Sequence, residues 1–274
     1  MLFNYAELIP LHKIELPLIR PKKHLGQHFL HDHNIAQKIA SFVDVSSSCQ
    51  VFEIGPGTGI LTEYLAARFR GRLTLFEIDD EAIPVLQARF PWLGDSLVHA
   101  DFLKVDAGKY FEGESAVAGN LPYNISSQIM FRILENRDTV IQVVCMVQKE
   151  VAQRIAAPHG NKEYGILSVL LQAFYDVEYL FTVGEKVFTP PPKVKSAVIR
   201  LKRNKRGDAD FDHDMLRQIV KTAFNQRRKT LHNALGRMNP PVPLDPVMAG
   251  KRAEELSVED YITLAKITAS GLRK

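Results

Sequence analysis

From residue 33 to residue 202 the chain alternates between two hydrophobic periods, and this alternation limits its fold more than any other property. Over Asn34–Phe42 the apolar residues Ile35, Ile39 and Phe42 recur at helical spacing, and Gln50–Ile54 reads as a short buried strand. Helical spacing returns over Ile60–Phe69, strand character over Arg72–Glu77, helix over Asp80–Phe90, and strand over Ser96–Ala100 and Ser115–Ala118. A helix is expected after Tyr123 to about Leu134, then the apolar run Val140–Gln148, a helix from Lys149 and another over Ile166–Phe174. Val177–Val183 and Ser196–Lys202 close the series as strands with no helix between them. Repeated strand-helix units imply an α/β, doubly wound parallel sheet buried on both faces, and the closing pair implies an antiparallel hairpin at its edge.

Beyond Arg206 the strands stop. Asp208, Asp210, Asp212 and Asp214 open a helical stretch with Met215, Ile219 and Phe224 on one face, carboxylates being favoured near a helix N-terminus. A second short helix fits Arg227–Leu235. A third fits Ser257–Ile267, where Ser257 and Asp260 resemble an N-cap with an acidic third position. The expected domains are residues 21–206 and a small all-α unit, 207–274, after an N-terminal extension, 1–20. That extension reads as a flexible tail, an added strand, or the product of an upstream start codon. It is too interrupted by Glu7, His12, Lys13 and Glu15 to be a signal peptide.

Composition enters as an exclusion. With 46% hydrophobic and 24% charged residues the chain is neither disordered nor collagen-like. No window approaches the ~18 apolar residues of a membrane span. Cys49 and Cys145 lie at apolar strand-like runs without metal-ligand spacing, so buried free thiols in a reducing cytoplasm are expected. The net charge of +4 hides an asymmetry: residues 181–274 carry 19 Lys and Arg against 10 Asp and Glu, leaving the first 180 residues acidic. A basic half suits a polyanion, although a solvated cationic surface has the same composition.

The segment Glu53-Ile-Gly-Pro-Gly-Thr-Gly59 sets three glycines between a strand and a helix, where the backbone turns tightly and a ligand can approach without meeting a Cβ. Dinucleotide sites carry a further glycine three positions after the second; here that position is Ile60. The spacing suits S-adenosylmethionine better, and a ligand-free glycine turn is the plain alternative. Glu77, at the end of the second strand, is placed to accept from both ribose hydroxyls, and Asp101, after the third, from an adenine amino group. Singly, each could be a solvated strand-end acid.

At the end of the fourth strand stands Asn120-Leu-Pro-Tyr123. The exocyclic amine of adenine is a poor nucleophile because its lone pair is delocalised into the ring. Acceptors for its hydrogens, here the Asn120 side-chain oxygen and the Leu121 carbonyl, favour a tetrahedral nitrogen and free that pair. Pro122, having no donor, rigidifies the turn, and Tyr123 stacks on the base in line with the methyl donor.

These residues carry a resemblance. Lys22-Lys-His-Leu-Gly-Gln-His-Phe-Leu30, the glycine loop, Gly119-Asn-Leu-Pro-Tyr-Asn-Ile-Ser126 and Phe188-Thr-Pro-Pro-Pro-Lys-Val-Lys-Ser196 match, in order, the pattern of the small-subunit ribosomal RNA adenine dimethyltransferases. The resemblance runs from about Pro21 to the C-terminus. It implies a Rossmann-like class I methyltransferase with a seven-stranded, mostly parallel sheet and a helical C-terminal domain. It further implies dimethylation of two adjacent adenines near the 3' end of small-subunit RNA, by a metal-free cytoplasmic monomer with a role in subunit biogenesis.

Carried over by residue, the resemblance assigns cofactor contacts to His28, Leu30, Gly55, Gly57, Glu77, Asp101 and Asn120. It assigns catalysis to Asn120, Leu121, Pro122 and Tyr123, with Phe188 facing the target base opposite Tyr123. His28 departs from the usual Asn, and a group that titrates near neutrality is expected to make cofactor affinity more sensitive to pH. The basic Lys193, Lys195, Arg227, Arg228 and Lys229 are expected on RNA phosphates. Rival readings are a large-subunit resistance-type methyltransferase and a non-catalytic assembly factor. The Leu at position 121 and the C-terminal helices favour the small-subunit reading, and the intact Asn120-to-Tyr123 motif favours an active enzyme. DNA adenine methylation, which usually carries a second proline in that motif, and a nicotinamide dehydrogenase fit less well.

Overall fold

The structure is a computed structural model that describes residues 19–208 and 210–271. It contains a seven-stranded sheet of order β4-β3-β2-β5-β6-β9-β7. The strands are β2 (Gln50–Ile54), β3 (Leu73–Glu77), β4 (Leu97–His99), β5 (Ser115–Asn120), β6 (Val140–Gln148), β7 (Tyr175–Val183) and β9 (Ser196–Arg203). β2 pairs in parallel with β3 and β5, β3 with β4, and β5 with β6. β7 and β9 form the antiparallel hairpin. The expected α/β fold is thus observed, with most expected strands and helices at their expected places.

The polarity of the sheet positions the site. β2, β3, β4 and β5 all run the same way, so Gly55, Glu77, Asp101 and Asn120 reach one edge at or just beyond their carboxyl ends. The strand interiors are mostly apolar on both faces, with Val51, Leu75, Ala116, Val117, Ala118, Val143 and Val144 all buried, and Glu53 and Gln142 as buried polar exceptions. α1 (His33–Ser41) and α2 (Ile60–Phe69) bury Ile39, Leu65 and Phe69, and the side chain of Asp32 caps α1 by accepting from the Ile35 N–H at 3.0 Å.

Two short strands were not legible in the sequence. β1 (Phe29–Leu30) and β8 (Phe188–Thr189) pair antiparallel as a separate ribbon, Phe29 opposite Thr189 and Leu30 opposite Phe188. Two residues carry no readable alternation.

The chain falls into two compact units. The first runs through Lys149 and takes in Tyr179–Leu201; the second comprises Glu150–Glu178 and the residues from Lys202. The division therefore differs from the single one expected after residue 206. Within the second unit α7 (Ile166–Gln172) buries Leu167, Val169, Leu170 and Leu171, and the buried Tyr164 meets the ring of Phe224 at 6.0 Å. A chain segment follows its apolar face, and the face of residues 164–171 belongs with the C-terminal helices.

Those helices are α8 (His213–Asn225), α9 (Leu231–Leu235), α10 (Pro246–Gly250) and α11 (Val258–Gly271). The Asp212 carboxylate caps α8 through the Met215 N–H. Ser257 and Asp260 form the expected reciprocal cap at 3.0 and 3.1 Å. The helix expected from Arg227 begins only at Leu231, because Gln226–Lys229 is a turn closed by the Lys229 N–H on the Gln226 carbonyl. Of the expected extension 1–20, only Ile19, packed in the core, and Arg20 are described; residues 1–18 lie outside the described residues. Both cysteines are buried free thiols.

Candidate active site

A cleft of about 210 Å³ opens at the carboxyl edge of β2 to β5. Gly55, Gly57, Glu77, Asp101, Asn120, Leu121, Pro122, Tyr123 and His28 all line it. Gln27 and Phe29, from the Lys22–Leu30 motif but given no role there, also line it, as do Phe76, Ile78 and Phe102, which nothing in the sequence marks. Apolar positions after a strand carry no signal of their own until the strand ends are known to converge.

The glycine loop is shaped by close approach. Gly57 has φ +55°, and a Cβ there would come within 2.9 Å of the Phe29 ring. Its N–H donates to Glu77 Oε2 at 2.9 Å, and Glu77 Oε1 accepts from the N–H groups of Ile78 and Asp79, both at 2.9 Å. Burial pushes the Glu77 carboxyl above its ordinary value, against the pull of these three donors. Arg89 braces the loop from behind, donating to the Thr58 carbonyl at 2.7 Å and pairing with Glu63. Asp101, partly exposed, accepts from the Leu103 N–H at 3.0 Å.

Beneath the loop lies Glu53, 1% exposed, and Oε2 finds no hydrogen-bond partner among the described residues. Burial pushes its carboxyl up to about 8, and Thr62 and Arg89 offset this only in part.

At the end of β5 the Asn120 Nδ2 donates to the backbone carbonyl of His28 at 3.0 Å. A carbonyl only accepts, so the nitrogen of the amide is committed to that side and Oδ1 takes the other. The Tyr123 hydroxyl meets the Ser196 hydroxyl at 2.5 Å, and Ser196 is itself buried. Burial raises the Tyr123 phenol above its ordinary value, partly offset by that bond. The ring is held at its far end and lines the cleft.

Two expected residues lie elsewhere. Phe188 is 2% exposed and packed in the hydrophobic core, and it does not line the cleft. On β8 the side chains alternate, so Phe188 turns inward while Thr189 turns out, its hydroxyl 3.1 Å from His31 Nδ1. The aromatic ring that faces Tyr123 at the cleft is the His28 imidazole, 5.3 Å from the Tyr123 ring and tilted by 31°. Its Nδ1 carries the proton donated to the Pro190 carbonyl at 2.8 Å. Leu30 is also buried; it lines a smaller cavity beside the glycine loop, together with Glu53, Gly55, Gly57 and Asn120.

Of the basic residues, Lys193 and Lys195 are exposed in the bend before β9, and Arg228 and Lys229 are exposed in the turn after α8. Arg227 is engaged: it donates to the Lys162 carbonyl at 2.7 Å and lies 3.4 Å from Glu254. Among the described residues no cluster of three His, Cys, Asp or Glu could hold a metal ion, and no helix is long and apolar enough to cross a membrane.

Comparison with known proteins agrees with this geometry. The chain is 51% identical over 251 residues to a ribosomal RNA small subunit methyltransferase A of Cytophaga hutchinsonii, covering 91% of this chain and 97% of that protein. It is 51% identical over 261 residues to the same-named protein of Parabacteroides distasonis, covering 94% and 97%. A crystal structure of a dimethyladenosine transferase from Plasmodium falciparum superposes with a TM-score of 0.73 at 27% identity, covering 86% of this chain and 96% of that one. The 23S rRNA methyltransferase ErmE, at 24% identity and a TM-score of 0.68, covering 88% and 99%, shares the fold. The family model described as ribosomal RNA adenine dimethylase matches residues 19–270, and the chain belongs to that family.

Proposed function

We propose that the protein converts two adjacent adenines near the 3' end of small-subunit ribosomal RNA to N6,N6-dimethyladenosine, using S-adenosylmethionine. The observation that carries this reading is the Asn120 amide, whose nitrogen is taken by the His28 carbonyl and whose oxygen is left as an acceptor beside the Tyr123 ring. The names of relatives about half identical to this chain favour the small subunit over the large.

The cleft fits the cofactor on its own chemistry. A glycine lining without Cβ atoms suits the amino-acid end, the buried Glu77 carboxylate suits ribose hydroxyls, and the half-exposed Ile78 beside Asp101 offers an apolar face and an acceptor to adenine. When bound, S-adenosylmethionine supplies an electrophilic methyl group on a sulfonium.

Asn120 Oδ1 and the Leu121 carbonyl accept from the target amino group and turn its lone pair toward the methyl donor. Tyr123 holds the base by stacking, and Ser196 holds Tyr123. No strong general base is needed, because the proton leaves an amine made cationic by the transfer. A base removed from its stack is the form the cleft can accept. Exposed Lys193, Lys195, Arg228 and Lys229 meet RNA phosphates, and Arg227 supports its own turn. A cytoplasmic monomer with a role in small-subunit biogenesis fits this reading.

The test is transfer of a labelled methyl group to small-subunit particles lacking the modification, beside naked RNA and large subunits. Label confined to small-subunit particles supports the reading; label on large subunits alone overturns it.

A further inference from the structure

Gln27 stands where the segment before β1 crosses the edge of the cleft. Its Nε2 donates to Asp79 Oδ2 at 2.6 Å, and its Oε1 accepts from the Lys22 N–H at 2.8 Å. Lys22 Nζ pairs with the other oxygen of Asp79. The Asp79 carboxylate is 1% exposed and held below its ordinary value, because the bonds from Lys22 and Gln27 outweigh the upward push of burial. One amide thus closes the turn Lys22–Gln27 and fastens it to the loop after β3. Within that turn Gly26, at φ +65°, has no room for a Cβ, which would lie 2.6 Å from Asn124 Oδ1.

The two ends of this fastening lead to the two halves of the site. On one side the Asp79 N–H donates to Glu77 Oε1. On the other, Gln27 is joined to His28, whose carbonyl holds the Asn120 Nδ2 at 3.0 Å. We infer that Gln27 is a positioning residue, which fixes the His28 carbonyl and through it the direction of the Asn120 amide, and couples that direction to the carboxylate loop at Glu77 and Asp79. Glutamine fits because the position needs a donor toward Asp79 and an acceptor toward Lys22. Glutamate would set a second carboxylate against Asp79, and methionine would keep the shape and lose both bonds. The role in turnover rests on the proposed methyl transfer; the mechanical link to Asn120 does not.

The test uses Gln27→Met. In the cofactor-free protein, nuclear magnetic resonance should show the Asn120 side-chain NH2 protons exchanging with solvent at least about tenfold faster, as expected when a held hydrogen bond is released. Unchanged exchange overturns the inference whatever the cleft binds. In the complete enzyme kcat should fall about tenfold, as for a misplaced catalytic group, and S-adenosylmethionine, measured by calorimetry, should bind more weakly. In an Asn120→Ala background the same substitution should cost no further kcat while still weakening cofactor binding. A fully additive loss of kcat makes Gln27 a generic structural residue and overturns the inference. Failure of the wild-type protein to bind S-adenosylmethionine at all would instead overturn the reading of the cleft.

Discussion

The carbonyl of His28 holds the side-chain nitrogen of Asn120 at 3.0 Å, so a residue 92 positions away decides which atom of the amide is left for the substrate. Asn120→Ala removes the acceptor and should lower kcat at least about a hundredfold, the range seen when one electrostatic group in an active site is lost. RNA affinity measured by filter binding should stay within about twofold. Asn120→Asp should be no better, because a carboxylate has no donor for His28. Equal losses of turnover and RNA binding would count against the assigned role.

Tyr123 combines a stacking face with an anchored hydroxyl. Tyr123→Phe keeps the ring and leaves the buried Ser196 hydroxyl without that partner, an effect of about 1–3 kcal/mol on stability. Thermal melting should register it, with kcat reduced less than about tenfold. Tyr123→Ala should remove nearly all turnover. Comparable kcat for the two variants would mean that the ring does not hold the base.

Glu53 makes stability depend on pH. Its folded value of about 8 lies above the 4.5 of an ordinary carboxyl, so its contribution is fully present below 4.5 and is lost as pH rises through 8. A tenfold difference in proton affinity between the folded and unfolded chain is worth about 1.4 kcal/mol. Glu53→Gln should therefore shrink the drop in Tm between pH 5 and pH 8.5 by several degrees, measured by calorimetry without cofactor. An unchanged drop would mean that Glu53 is not the buried titrating group.

The basic turn after α8 separates into two roles. Substituting Arg228 and Lys229 together by Gln should lower the slope of log affinity against log salt by about 1 to 2 and leave Tm unchanged, since both are exposed. Arg227→Ala should instead lower Tm, because its guanidinium holds the Lys162 carbonyl and faces Glu254. A salt slope unaffected by the double variant would move the RNA surface elsewhere.

How much of this was legible in the sequence depended on the range of the interaction. Strand ends such as Glu77 and Asn120 follow from periodicity, and the cap between Ser257 and Asp260 is local. The ribbon of Phe29–Leu30 with Phe188–Thr189 is not local, and its pairing turns Phe188 into the core where the motif alone set it at the base. The bond from Gln27 to Asp79 spans 52 positions, and no spacing rule announces it. Arg227 looked like its neighbours Arg228 and Lys229 because charge density does not show which guanidinium is already engaged.

The central claim is tested most directly in cells whose own small-subunit adenine dimethyltransferase gene has been deleted, by expressing this chain and quantifying nucleosides of purified subunits by mass spectrometry. Two N6,N6-dimethyladenosines per small-subunit RNA should return with the wild-type chain and be absent with Asn120→Ala. No dimethyladenosine in the small subunit, or its appearance in large-subunit RNA alone, would contradict the assignment.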